Sequence, residues 1–235
     1  MQRLIAILMV LGLSLTTWPA PAASNDVEAA ISRWESTWAN TRSFTSEVSS
    51  HITKGDQLEE RTLLLWFKRP MNIRTDVVKG NRAHDAGSVA VYRGEGTVSG
   101  HQGGLLSGVV LTLSIDDPLC TSIRGARITE LLFSRSLELI HQYQRRRSSL
   151  QLGAPSQIAG RSVVPLTLST SNENFIALND NIDKDVLWYD TQLNVLVQWE
   201  RFEKGGRKIA QVTWSNTRLN PSIDDAVFNP RAKVK

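Results

Sequence analysis

Two hydrophobic periods alternate along this chain, and each change of period predicts a change of element. Val27, Ile31, Trp34 and Trp38 recur at helical spacing and predict an amphipathic helix. Asn25 is its expected cap, Glu28 completes a capping box, and Asn40 and Ser43 end it. From Phe44 the period drops to two. Phe44, Val48 and Ile52 face one way while Glu47, Ser49 and His51 face the other, as in a half-buried strand closed by the turn Lys54-Gly55-Asp56. Arg61 to Lys68 is the next strand. Leu63, Leu65 and Phe67 lie on one face, Leu64 and Trp66 on the other, so cover is expected on both sides. Pro70 stops it, and strands at Ile73–Val78 and Val89–Tyr92 follow.

The middle of the chain is less regular. Six glycines between Gly94 and Gly108 predict turns. Val109, Leu111, Leu113 and Ile115 alternate as a strand that Asp116-Asp117-Pro118 ends. A second helix is expected from Ile128 to Tyr143, with its stripe at Leu132, Leu139, Ile140 and Tyr143, widened by Phe133 and Leu137. Arg145 to Arg147 follow at its C-terminal end, where cations suit the helix dipole. The last third predicts a meander of strands at Val163–Leu168, Val186–Tyr189, Val195–Phe202 and Ile209–Trp214. Asn172 to Asp185 is a long polar loop with an apolar island, Phe175-Ile176, of the length that lids, binding loops and plain disordered segments have. The sum is an α+β domain around one large curved antiparallel sheet.

The first residues change the picture. Arg3 precedes a run of twelve residues, Leu4 to Leu15, followed by Ala20-Pro21-Ala22. The run is shorter than the roughly 18 residues that span a bilayer, so residues 1–22 are expected to be a cleaved signal peptide, with Ala23 as the near alternative cut. That leaves residues 23–235 as one domain, expected in the periplasm, neither membrane-spanning nor lipid-anchored, and monomeric. The formal charge of +4 falls to +3 when Arg3 leaves with the signal, and it is dispersed. Nucleic-acid binders concentrate such charge on one element, so none is expected as a partner. Cys120 is the single cysteine, which leaves no internal disulfide and predicts a buried thiol.

Catalytic patterns are missing. His51, His84, His101 and His141 stand far apart, and none has the spacing of a helical metal site. No Gly-x-Ser-x-Gly elbow occurs. Asp116 and Asp117 precede Pro118, which suits a turn better than an acid–base pair. The expectation is a non-enzyme without cofactor or metal.

In order, the motifs resemble the LolA-like superfamily of outer-membrane lipoprotein carriers and their relatives. The resemblance rests on the first helix, on Leu65-Trp66-Phe67-Lys68-Arg69-Pro70 followed by Ile73-Arg74, and on Trp188-Tyr189-Asp190. Gly205-Gly206 and Asp225-Ala226-Val227-Phe228 close it. It implies an incomplete, half-open β-barrel with two helices across its concave face and a hydrophobic cavity between them. The cargo it implies is a lipid or the acyl chains of a lipoprotein, with an inner- or outer-membrane protein as a further partner. The middle of the chain, Gly94–Gly108 and Asp116–Pro118, departs from the carrier proper and points to an uncharacterised branch.

On this reading Trp34, Trp38, Leu63, Leu65, Phe67, Leu111, Leu113 and Leu139 line the cavity, and Arg74 donates to a lid carbonyl or a lipid head group. The plainer alternatives are that Trp34, Trp38 and Trp66 are core and Arg74 a solvated strand residue. A second function, an envelope sensor that grips a partner protein with a filled core, uses the same fold. Empty volume separates the two.

Overall fold

The structure is a computed structural model that describes residues 24–178 and 181–234. The expected signal peptide lies outside them. Helix α1 spans Ser24–Asn40 and is followed by strands β1 (Ser43–Lys54), β2 (Gln57–Lys68), β3 (Asn72–Gly80), β4 (Val89–Tyr92), β5 (Thr97–His101) and β6 (Leu111–Ser114). After a 3-10 turn at Ile128–Leu131 comes α2 (Phe133–Arg145), then β7 (Ser149–Leu152), β8 (Ser156–Ile158) and β9 (Arg161–Ser169). Helix α3 (Glu173–Leu178) precedes β10 (Ile182–Asp190), β11 (Leu196–Glu203) and β12 (Lys208–Leu219).

All the strands pair antiparallel in one open sheet of order β6-β5-β4-β3-β2-β1-β12-β11-β10-β9-β7, with β8 beside β9. The chain builds outward from β1 to the β6 edge, crosses the concave face through residues 115–148, and re-enters at the β7 edge. Helices α1 and α2 cover that face, as expected.

Inward-facing side chains follow the period-two reading. Phe44 pairs with Phe67 and Val48 with Leu63 across β1 and β2, and Leu65 and Phe67 are fully buried. From α1, Trp34 stacks on Tyr189 of β10 with centroids 3.7 Å apart. Phe133 of α2 stacks on Phe44 at 4.5 Å. The Trp214 indole N–H donates to the Leu131 carbonyl at 3.1 Å, tying the crossing segment to the sheet.

Four expectations need correction. Helix α1 already includes Asn25, which therefore does not stand before it as its cap, and the Glu28 carboxylate accepts from Gln144 of α2. Its C-terminal carbonyls are met instead from a distant turn: Arg69 donates to Thr41 O and Trp38 O, and its guanidinium stands 5.0 Å over the Trp38 ring. That supplies the cation the last turn of the helix lacks. The glycine-rich stretch holds a strand, β5, because Gly100 lets it approach Val89 so closely that a Cβ would stand 2.0 Å from the Val89 carbonyl. The loop 172–185 contains α3, capped by the Asn172 carboxamide and buried through Phe175 and Ile176, and β10 begins at Ile182, inside it. Finally, β2 is covered on its outer face only near Trp66, while Leu64 is exposed.

That outer cover is the C-terminal segment. Phe228 and Ile223 bury against Val91 and Trp66, and Asp224 caps the 3-10 turn Asp225–Phe228. Arg74 holds the segment down. Its guanidinium donates to the carbonyls of Val227, Asn229 and Ala232 at 2.8, 2.8 and 2.9 Å, and forms a two-pronged pair with Asp76. Lys68 and Arg93 donate to Ile223 O and Phe228 O on either side. Arg74 is 1% exposed, so removing its charge strands Asp76 and three carbonyls. Arg74→Leu is expected to lower stability by about 3 kcal/mol. Arg74→Lys should recover little of this, because an ammonium does not match the fork. Urea unfolding of the two variants checks both.

Candidate functional site

The concave face is not uniformly filled. Beneath α1, between Trp34, Trp38, Phe133, Leu137, Tyr189 and Val195, about 10 Å³ of space remains, which is solid packing. Toward the β6 edge a cleft of about 290 Å³ opens between the sheet and the crossing segment. Its floor is Ile52 of β1, Leu63 of β2, Val77 of β3, Ala90 of β4 and Val98 of β5. Leu111 and Leu113 of β6 form its outer edge, and Leu119, Cys120, Ile128 and Leu131 its roof. Trp199 and Val212 close the side toward the middle of the sheet. The cleft exists because β4 to β6 run on past the reach of both helices and only the loop segment 115–131 bridges over them.

One end of the cleft is polar. Glu59 points inward on the same face as Leu63 and is 1% exposed. Its carboxylate accepts from Arg82 Nη1 at 2.8 Å and from the Ile123 N–H at 3.3 Å, with Arg61 Nη1 3.7 Å away. Arg61 pairs with Asp85 through two hydrogen bonds of 3.1 and 3.0 Å. Glu59 therefore joins β2 to both the loop after β3 and the crossing segment, the two walls of the cleft. Sequence reasoning missed it, although Glu59 and Arg61 share the parity of Leu63 and Leu65.

Of the expected cavity residues, Leu63, Leu111 and Leu113 line this cleft. Trp34, Leu65, Phe67 and Leu139 lie in the closed core, and Trp38 packs at its margin against Phe67. Arg74 is on the opposite face of the sheet from the cleft: its neighbours on β2 and β4 are Trp66 and Val91, and it faces the C-terminal segment. It is neither solvated nor at a lid. Cys120 is half-buried on the cleft roof, where burial and then Asp117 push its thiol pKa up, a position without the activation a nucleophilic thiolate needs. Among the described residues no group of three His, Cys, Asp or Glu side chains is placed to hold a metal ion. No described helix is long and apolar enough to cross a membrane.

A second buried polar cluster, under α2 and α3, is structural. Asp185 is fully buried and accepts from Trp199 Nε1 at 2.7 Å, Arg201 Nε at 2.9 Å and Tyr143 Oη at 3.0 Å. Phe175 of α3 meets the Tyr143 ring edge-on at 4.9 Å. The cluster fixes Trp199, and so the inner wall of the cleft.

No protein-family model matches the chain, and no curated protein matches it either. Solved structures do. An uncharacterized conserved protein from Thermus thermophilus matches with a TM-score of 0.54 at 10% identity, over 88% of this chain and 95% of that one. MucB matches with a TM-score of 0.55 at 13% identity, over 88% of this chain and 63% of that one. The lipoprotein LppX of Mycobacterium tuberculosis matches at 0.50 and 14% identity, over 86% and 99%. At such identities the likeness shows the fold. An open antiparallel sheet with helices on one face is the arrangement expected from the sequence.

The same buried groups give the protein a defined alkaline limit. Burial and then the Asp185 carboxylate push the Tyr143 phenol well above its usual range, and burial does the same to Tyr189. Both stay protonated in the folded chain. Their contribution to stability is fully present below about pH 10, the ordinary phenol value, and is lost as pH rises above it, because only the unfolded chain then releases the protons. In an alkaline titration followed by phenolate absorbance, two of the three tyrosines are expected to ionise only as the protein unfolds.

Proposed function

We propose that this chain is an exported binding protein that holds an apolar ligand, a lipid or an acyl chain, in the cleft between β1–β6 and the crossing segment. The observation that carries the reading is empty apolar volume placed beside a solid core. A single filled interior needs no cleft, whereas a carrier does. The volume lies at the lower end of the range for ligand pockets, roughly 300–1,000 Å³, and its lining combines the apolar floor with the Glu59 cluster and with polar side chains such as His101, Gln102 and Glu130. Each methylene moved from water into such a site contributes about 0.8 kcal/mol, so a tail provides affinity with no catalytic group. The periplasm is the compartment in this reading, on the strength of the N-terminal apolar run.

A second reading, a module that grips a partner protein, is favoured by one surface. Leu105, Val109, Leu111 and Leu119 are exposed near the cleft mouth, beside the free edge of β6. MucB, one of the proteins with this fold, has been solved in a complex with MucA. The two readings meet at the mouth, because a carrier also has to be met by whatever loads it.

Two substitutions separate cleft from core. Leu113→Glu, on the half-buried β6 edge, is expected to leave a folded protein that loses lipid in native mass spectrometry and in fluorescent fatty-acid binding by at least about ten-fold, since a charge then sits in the apolar site. Leu65→Glu, in the closed core, is expected to prevent folding. Wild-type protein that never yields or binds lipid would remove the carrier reading.

A further inference from the structure

The size and the charge layout of the cleft say what kind of lipid fits it, an inference that rests on the binding reading above. An apolar protein cavity of about 150 Å³ accommodates one benzene molecule, six carbons. On that scale the 290 Å³ here takes about a dozen carbons. Under α1 the concave face offers no extension, because Trp34 stacked on Tyr189, with Trp38, Phe133 and Leu137 beside them, leaves only about 10 Å³. A lipoprotein anchor or a phospholipid brings two or more long chains and exceeds this space several-fold. One medium-length chain fills it.

The head group follows from the polar end. Charged side chains lining the cleft balance: Arg61, Arg82 and Arg127 against Glu59, Asp85 and Glu130. Most are committed to one another or to neighbours. Arg61 gives Nε and Nη2 to Asp85, Arg127 pairs with Asp116, and Glu130 accepts from Arg135. Arg82 differs. Among the described residues its guanidinium has one carboxylate partner, Glu59, through Nη1 alone, and its side chain is 35% exposed at the cleft. Glu59 is meanwhile also met by the Ile123 N–H. Arg82 thus lines the cleft with Nε and Nη2 not committed to a carboxylate, and two such donors suit the oxygens of one.

We infer that the ligand class is a single-chain fatty acid of medium length, its carboxylate on Arg82 and its tail over Ile52, Leu63, Val77 and Val98. Calorimetric titration of the wild-type protein with hexanoate, octanoate, decanoate, dodecanoate, hexadecanoate and octadecanoate tests the size. Affinity is expected to tighten about four-fold per added methylene up to dodecanoate and then to level off. A rise that continues unbroken to octadecanoate, or tighter binding of a two-chain phosphatidylglycerol, would overturn the single-chain assignment while leaving lipid binding intact. If no member of either class binds, the cleft reading itself fails. The head group is tested with the same tail: dodecanoate should bind about ten-fold more tightly than dodecanol. Arg82→Gln should abolish that margin, acid and alcohol then binding alike whatever the overall affinity of the variant; a ten-fold margin kept in the variant would overturn the role given to Arg82. Equal binding of acid and alcohol by the wild type would overturn the role given to Arg82.

Discussion

A chain that leaves a sheet at one edge and rejoins it at the other must cross one of its faces, and residues 115–148 make that crossing on the concave side between β6 and β7. Much of what is distinctive in this molecule follows from the crossing. Where the traversing chain is helical, it carries a wide apolar stripe, and α2 presses Phe133, Leu137, Leu139 and Ile140 into the sheet beside α1. Where it is loop, over 115–131, it supplies too few large side chains to fill the space beneath. The cleft is the gap between those two ways of covering one sheet.

The short motifs on which the sequence resemblance rested turn out to be fastenings. Arg69 closes the end of α1, Lys68 and Arg74 clamp the C-terminal segment on the outer face, and Phe228 plugs that segment against Trp66 and Val91. Asp190 holds the turn between β10 and β11 by accepting from the backbone N–H groups of Gln192 and Leu193. Those of Lys68, Arg69 and Arg74 are side-chain to backbone contacts that join segments far apart in sequence, and that of Asp190 is the same kind of contact made locally. Such contacts demand particular residue types, which is why they stand out as short patterns in the sequence. The cleft wall makes no such demand: any apolar residue of fitting size serves at Ile52, Val77 or Val98.

Buried polar groups divide in the same way between holding and receiving. Asp185 is saturated by three donors on two elements, Tyr143 of α2 and Trp199 and Arg201 of β11, leaving it nothing to offer a ligand. The Glu59 group is also internally paired, yet it sits at the boundary of an open volume and includes a guanidinium that is partly exposed. Burial cost fixes the first arrangement. The second keeps capacity for an anion because its outermost member, Arg82, is not fully enclosed.

Hydrophobic periodicity alone fixed the class of fold: the amphipathic first helix, the inward sets Phe44–Val48–Ile52 and Leu63–Leu65–Phe67, and the terminal meander were legible because burial on one face imposes a period on the chain. What periodicity reports is the face on which a residue lies. It does not report whether that face meets protein or space. Leu63, Leu65, Leu111 and Leu139 read alike in sequence, yet Leu65 and Leu139 are enclosed while Leu63 and Leu111 border the cleft. Strand β5 escaped notice because close backbone approach, which Gly100 permits, leaves no hydrophobic signature. Arg74, half of a long-range pairing with a segment some 150 residues away, had its partner decided only when β3 and the C-terminal segment met. Side-chain pattern sets the layers locally; the distance between layers is a property of the whole packed chain, and it decided where this protein is solid and where it is open.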